Sequence, residues 1–263
     1  MSCGGVFTGE RLLAGDPLFA ADMSRHLVAY QFAQQQVRGK SVLDAGCGDG
    51  YGTDMLAQTA ARAVGVDRSA ETIDLAGRRY QRPNLTYRAC DLDRLSDLGE
   101  QFDVVCNFQV IEHLADPKPF LGQARQVLRP GGCLIVTTPN RLNSFVENPY
   151  HVHEYVAGEL AELLREFFPQ VEMRGVCGNE RVMAFDRARG AQAGKILRLD
   201  PLGLRRLLPR ALIEWAYPRL ARLVRRNIAA AGVGATITPA DFRITDDCQG
   251  SLDLLATCRC GKR

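Results

Sequence analysis

Between Gly39 and Gly178 short apolar runs alternate with longer segments in which apolar residues return every third or fourth position. The runs predict strands at Ser41–Ala45, Ala63–Asp67, Leu85–Cys90, Phe102–Phe108 and Cys133–Thr138. The periodic segments predict helices at Tyr51–Ala61, Ala70–Tyr80, Lys118–Leu128 and Val156–Phe168. Strand and helix in strict alternation mark an α/β protein built on a parallel sheet. Pro130-Gly131-Gly132 ends the fourth of these helices and feeds the fifth strand. Val171–Cys177 and Leu252–Cys258 are two further strand candidates. Upstream, Asp16-Pro17 is a helix start, an N-cap acid with proline in the first turn, and the helix runs to about Val37. Met1–Asp16 has no periodicity and reads as an arm that is mobile or ordered by a ligand.

The candidate chemistry is concentrated where the first strand ends. In Ser41–Thr53, SVLDAGCGDGYGT, a buried strand runs into a turn carrying Gly46, Gly48, Gly50 and Gly52 that opens a helix. Glycines allow positive φ and let a ligand approach main-chain N–H groups. The spacing is close to a dinucleotide fingerprint, but Asp44 and Asp49 would repel a pyrophosphate and disfavour NAD. A ligand with an ammonium end would instead be attracted to them, which points to S-adenosylmethionine. The next strand, RAVGVD, ends in Asp67, where doubly wound folds place an acid that takes the ribose hydroxyls.

Composition narrows the class. At 263 residues and 46% hydrophobic, the chain can bury one substantial core, a single domain with an elaboration. Charged residues make up 24% and the net charge is +3, too little to argue for a nucleic-acid partner from the total. Nine cysteines, an odd number with no CxxC pair, suit free thiols in a reducing cytoplasm and argue against zinc. The N-terminus lacks the apolar core of a signal peptide, and no stretch is apolar enough to span a bilayer.

The pieces LDAGCGDGYG, GVDRS, CDLDRL, FDVVCNFQVIEHL, LRPGG, TPNR and NPYHVHEY, in that order, resemble the class I S-adenosylmethionine-dependent methyltransferases over most of Gly39–Gly178 and the last strand. The resemblance implies a doubly wound, Rossmann-like, seven-stranded sheet in the order 3-2-1-4-5-7-6, its last strand antiparallel. It implies that Ala45, Gly46 and Gly48 line the methionine end of the cofactor, with Asp44 toward the ammonium group. Asp67 would hold the ribose, Arg68 would lie beside the adenine, and Asp91, followed by Leu92, would take the adenine amino group. Asn107 and Phe108 would complete the pocket, and Tyr30 and His26, on the helix before the core, could face it. Tyr30 packing on the sheet is an equal alternative.

On the substrate side, Gln109-Val110-Ile111-Glu112-His113 lies where amine-modifying DNA methyltransferases carry an Asn/Asp-Pro-Pro-Tyr/Phe motif, absent here. The stretch resembles small-molecule O-methyltransferases, including the ubiquinone-biosynthesis and small-RNA 2′-hydroxyl enzymes. In those two groups a Glu-x-x-Glu-His run and a later histidine bind a divalent cation. Here Gln109 replaces the first glutamate and removes an anionic ligand. The expectation is therefore no tightly bound metal, with His113 as general base and Glu112 as its orienter. Asn148–Tyr155 resembles the substrate loop of methyltransferases of sugar and cell-surface glycan pathways. Of its two histidines, His151 and His153, one is expected to enter the site, and His153 is the choice. Asn140 and Arg141 are candidates for contact with an anionic or hydroxylated substrate.

Three segments follow: residues 1–180, a core with an N-terminal cap helix; 181–250, a basic helical insertion; and 251–263, the last core strand. From Arg187 to Arg226 the insertion has eleven basic residues against Asp200 and Glu214. Pro209 and Pro218 should divide it into short helices, the last with Leu220, Leu223, Val224 and Ile228 on one face. It reads first as a cap over the substrate cleft, and second as a contact with an anionic membrane or acidic substrate. The function expected is methyl transfer to an oxygen of a small molecule, a sugar or glycan precursor. Its rivals are a membrane-associated quinone-type O-methyltransferase and a methyltransferase-fold binding protein without turnover.

Overall fold

The computed structural model describes residues 17–144, 148–197, 210–230 and 237–261. Asp16 and the arm before it lie outside them, as do Arg198, Arg205 and Arg206. A short 3₁₀ turn, Pro17–Phe19, leads into α1 (Ala20–Gln36). The core then follows as β1 (Ser41–Ala45), α2 (Tyr51–Ala57), β2 (Arg62–Asp67), α3 (Ala70–Arg79), β3 (Leu85–Ala89), β4 (Phe102–Phe108), α4 (Lys118–Val127), β5 (Leu128–Pro139), α5 (Ala157–Arg165) and β6 (Gln170–Gly178). Two helices of the insertion, α6 (Glu180–Leu197) and α7 (Arg210–Ala230), precede β7 (Phe242–Thr245) and β8 (Asp253–Arg259).

The sheet has eight strands in the order β3-β2-β1-β4-β5-β8-β6-β7. Its first five strands are parallel, and β8 runs antiparallel to both β5 and β6. The expected seven-strand order is present, with β7 added at the edge, antiparallel to β6. That strand, FRIT, is four residues long and sits inside the insertion, too short to stand out by alternation.

Along β1 and β4 successive side chains enter opposite layers, as a period of two requires. Val42, Val104 and Cys106 pack with Ala33, Val37 and Leu56 under α1 and α2, and Leu43 and Val105 pack with Leu121, Leu134 and Leu160 under α4 and α5. Both faces are covered, so the central strands read as continuous apolar runs.

The insertion departs from expectation. It is not cut at Pro218, since α7 continues through it for 21 residues. Proline forfeits one i→i−4 bond, a loss that tertiary contacts can offset. Val224 is buried, the Arg225 guanidinium lies 4.3 Å from the Phe19 ring centroid, and Arg225 Nη2 donates to Asp22 Oδ2 at 2.8 Å. Asp22 also accepts from Arg189 of α6 at 2.7 Å, and Arg189 pairs with Asp186 at 2.7 Å. These arginines hold the Asp22 carboxyl well below the usual carboxylate range, against the opposing effect of burial. Leu220 and Leu223, expected to share the packed face with Val224, are instead 43% and 48% exposed.

Candidate active site

The carboxyl ends of β1, β2, β3 and β4 bring most of the expected cofactor residues to one edge of the sheet, where open α/β sheets bind ligands. Asp44, on β1, is fully buried. It accepts from Thr53 Oγ1 at 2.7 Å and from the Tyr30 hydroxyl at 3.3 Å. Neither donor is a cation. Burial, with Asp67 adding to it, raises the Asp44 pKa to about 6.

The glycine loop beside it is shaped by contact. Gly46 has φ +91°, and a Cβ there would lie 2.6 Å from Val110 Cγ2. A Cβ on Gly52 would lie 1.9 Å from Tyr30 Cζ, so glycine lets the Tyr30 ring sit on the first turn of α2. Tyr30 is thus buried, with its hydroxyl donating to Asp44. His26 is engaged at both ring nitrogens, with the Tyr51 hydroxyl and with Phe108 O, and burial lowers its pKa to about 4.

Asp67 ends β2 with its Oδ1 accepting from Ser69 N at 2.9 Å, and it is 8% exposed. Arg68 next to it is exposed. Asp91, also exposed, precedes the 3₁₀ turn Leu92–Leu98. Asn107, fully buried, donates from Nδ2 to Ala45 O at 2.8 Å, while its Oδ1 has no hydrogen-bond partner among the described residues. Phe108 packs its ring edge-on to Tyr30, with centroids 4.8 Å apart. A cation-free buried carboxylate, an orphaned amide oxygen and open space at Gly48 together fit a ligand with an ammonium end.

The substrate side begins at Gln109, which has φ +57°, a left-handed conformation uncommon for a residue with a side chain. Its side chain donates to the buried Asp253 of β8, which also pairs with Arg25 Nε at 3.1 Å. Glu112 is fully buried. Its Oε2 accepts from Thr138 Oγ1 at 3.0 Å, and its Oε1 lacks a hydrogen-bond partner among the described residues. Burial raises the Glu112 pKa to about 7.

His113 Nδ1 lies 2.9 Å from Tyr150 O, which fixes the Nδ1–H tautomer and leaves Nε2 as the basic nitrogen. The orienter of His113 is therefore a backbone carbonyl, not Glu112. The Glu112 main-chain carbonyl instead accepts from Val152 N and His153 N and anchors the 148–155 loop.

The histidine that this loop delivers is His151 rather than His153. His153 faces outward, half exposed, 3.6 Å from Glu159 Oε2. The segment is a turn rather than a strand, with His151 N donating to Asn148 O and the amides of Val152 and His153 both on the Glu112 carbonyl, so residues two apart do not share a face as they would in extended chain. The His151 imidazole lies inward, its ring centroid 5.0 Å from that of His113. Ligand atoms of Glu112, His113 and His151 all lie within 4.8 Å of one another, a set that could hold a cation. His151 donates through Nδ1 to Glu154 Oε1 at 2.6 Å and accepts at Nε2 from Asn148 Nδ2 at 2.9 Å.

Asn140 and Arg141 have structural partners. Asn140 is buried, donating to Cys248 O and Ser251 O, and Arg141 pairs with Glu159 at 2.7 Å. Arg25, Asp253 and Tyr217 carry no signal in the sequence that ties them to this region. The antiparallel return of β8 pairs Asp253 with Arg25, and the docking of α7 sets the Tyr217 ring 5.9 Å from that of Tyr150.

Comparison with known proteins identifies the class of the chain. Residues 43–136 match the family model described as a methyltransferase domain. A Mycolicibacterium smegmatis protein described as a probable S-adenosylmethionine-dependent methyltransferase is 41% identical over 258 residues, covering 95% of this chain and 93% of its own. A ubiquinone biosynthesis O-methyltransferase of Cereibacter sphaeroides is 39% identical over 105 residues, 39% of this chain and 42% of that one. Among solved structures, an S-adenosylmethionine-dependent methyltransferase of Thermotoga maritima, described as a possible histamine N-methyltransferase, aligns with a TM-score of 0.57. It is 13% identical, covers 92% of this chain and 91% of its own, and speaks to the fold alone.

Proposed function

The chain belongs to the S-adenosylmethionine-dependent methyltransferases, and we propose that it methylates an oxygen of a small hydroxylated molecule, a sugar or glycan precursor. The observation that carries this reading is the His113 tautomer, with Nδ1–H held by Tyr150 O and Nε2 left as a base beside the buried Glu112. A hydroxyl must lose its proton on becoming an ether, and a neutral imidazole can take it. When bound, S-adenosylmethionine supplies a methyl group on a sulfonium, already activated for in-line displacement. Asp44 and the loop at Ala45, Gly46 and Gly48 would hold its amino-acid end, Asp67 its ribose, and Arg68, Asp91, Leu92, Asn107 and Phe108 the remainder of the pocket. The match to a ubiquinone biosynthesis O-methyltransferase over 105 residues supports oxygen as the acceptor atom and keeps a quinone-type acceptor as the runner-up. Free thiols at all eight described cysteines support a reducing, cytoplasmic setting.

A second reading rests on the orphaned Glu112 Oε1 and on the ligand atoms of Glu112, His113 and His151 lying within 4.8 Å of one another, a carboxylate and two imidazoles that suit a divalent metal. Assays of wild type and His113→Ala on a panel of hydroxylated acceptors separate the two. A general base predicts turnover lowered about 10²–10⁴-fold in the variant, with cofactor affinity nearly unchanged and little effect of a chelator on wild type. Activity lost to a chelator and restored by magnesium or zinc would replace the base with a metal.

A further inference from the structure

The solvent face of α7 is not the polar face that a cap helix should present. Six large apolar side chains stand out as exposed among the described residues: Leu75, Leu142, Val152, Leu212, Leu220 and Leu223. Three belong to α7, while Leu142 follows β5 and Val152 lies in the 148–155 loop of the candidate active site. At about 100° per residue, Leu212, Arg219, Leu223 and Arg226 fall on one narrow arc of the helix, with Leu220 and Arg222 to either side. Arg219, Arg222 and Arg226 are exposed along with the leucines. The opposite side holds Tyr217, Ala221, Val224 and Arg225, through which the helix is fixed to Asp22, Phe19 and Tyr150.

A partner for the outer face must offer apolar and anionic groups together, on a surface that a convex helix can lie against. We infer that α7 docks on an anionic lipid bilayer, with its leucines entering the acyl boundary and its arginines reaching the phosphates. Arginine suits this position because its aliphatic stem can lie along apolar surface while the guanidinium stays at headgroup level. Over Arg210–Ala230 the helix carries five arginines and one acid, whereas the whole chain is only +3. A second copy of the chain is a poor occupant, since a two-fold contact on this face would set arginine against arginine. A bilayer-spanning role is excluded for α7, as no helix among the described residues is long and apolar enough to cross a membrane.

Flotation through a density gradient tests this without reference to turnover, so it stands apart from the acceptor assignment. The full chain should rise with phosphatidylcholine vesicles containing phosphatidylglycerol at low salt, stay down with phosphatidylcholine alone, and be released at high salt. Joint replacement Arg219→Glu, Arg222→Glu and Arg226→Glu should lower partition about 100-fold or more. The pair Leu220→Ser and Leu223→Ser should lower it at least about tenfold. Calorimetry with S-adenosylmethionine should give wild-type affinity for both variants, showing that they are folded. Failure of the wild type to float with anionic vesicles at low salt overturns the inference. So does equal partition onto neutral vesicles, unchanged partition of both variants, or a dimer in sedimentation velocity that the leucine replacements dissolve.

Discussion

Asp67 and Asp44 are both buried acids at the same sheet edge, yet under the proposed reading they would serve different atoms of S-adenosylmethionine. Asp67 keeps one oxygen on Ser69 N, so its carboxylate is aimed before any ligand arrives. A ribose diol donating to it gains two hydrogen bonds to a charged acceptor, each worth about 1.5–3 kcal/mol. Asp67→Ala should therefore weaken S-adenosylmethionine at least about tenfold by calorimetry, and unchanged affinity would remove Asp67 from the pocket. Asp44 lies deeper and is tuned by Thr53 and Tyr30. Its position was readable from the motif, but the hydroxyl of Tyr30 reaching it from α1 was not, since nothing local in the sequence ties the two.

At the scale of elements, the point on which the cap turns is one aspartate of α1. Asp22 holds Arg189 of α6 and Arg225 of α7 at 2.7 and 2.8 Å, and its side chain is only 12% exposed. Removing one member of such a network leaves buried charge uncompensated, at a cost of about 3–5 kcal/mol. Asp22→Ala should lower the urea midpoint accordingly, while Glu162→Ala, which removes an exposed acid of α5, should leave it nearly unchanged. This joint was invisible in the sequence, because a lone acid on a helix of low amphipathicity gives no hint of partners 167 and 203 residues away. The core strands were legible for the opposite reason. Apolar runs buried on both faces have few alternative placements, and Ser41–Ala45 and Phe102–Phe108 fall where the pattern puts them. The insertion gave its charge but not its geometry. Pro218 suggests a break that the flanking contacts of α7 override, and helical periodicity alone does not say which of two apolar arcs meets the protein.

Taken as a whole, the molecule holds two acids in a state that opposes its stability at neutral pH. Burial raises Asp44 from 3.8 to about 6 and Glu112 from 4.5 to about 7. For a raised acid, the stabilising contribution is complete below the unfolded value and is lost as pH rises through the folded one. Ionising Glu112 inside the fold thus costs about 3 kcal/mol by pH 8, taking 1.36 kcal/mol per pKa unit. Glu112→Gln keeps an acceptor for Thr138 and removes the charge. Its melting temperature should overtake that of wild type between pH 5 and pH 8 as measured by differential scanning fluorimetry, and a constant offset across that range would show that Glu112 is not ionising there.

The pairing of Gln109 with Asp253 joins the ends of β4 and β8, and it constrains how this site could change over generations. Glutamate at 109, the form seen in the Glu-x-x-Glu-His run, would set a second carboxylate against a buried one already raised by its surroundings. The step becomes tolerable once Asp253 has lost its charge, or once a cation is present to share. Arg25 then loses its own partner unless it changes too. Gln109, Arg25 and Asp253 are therefore coupled through charge, so that the order in which they are substituted decides what each step costs.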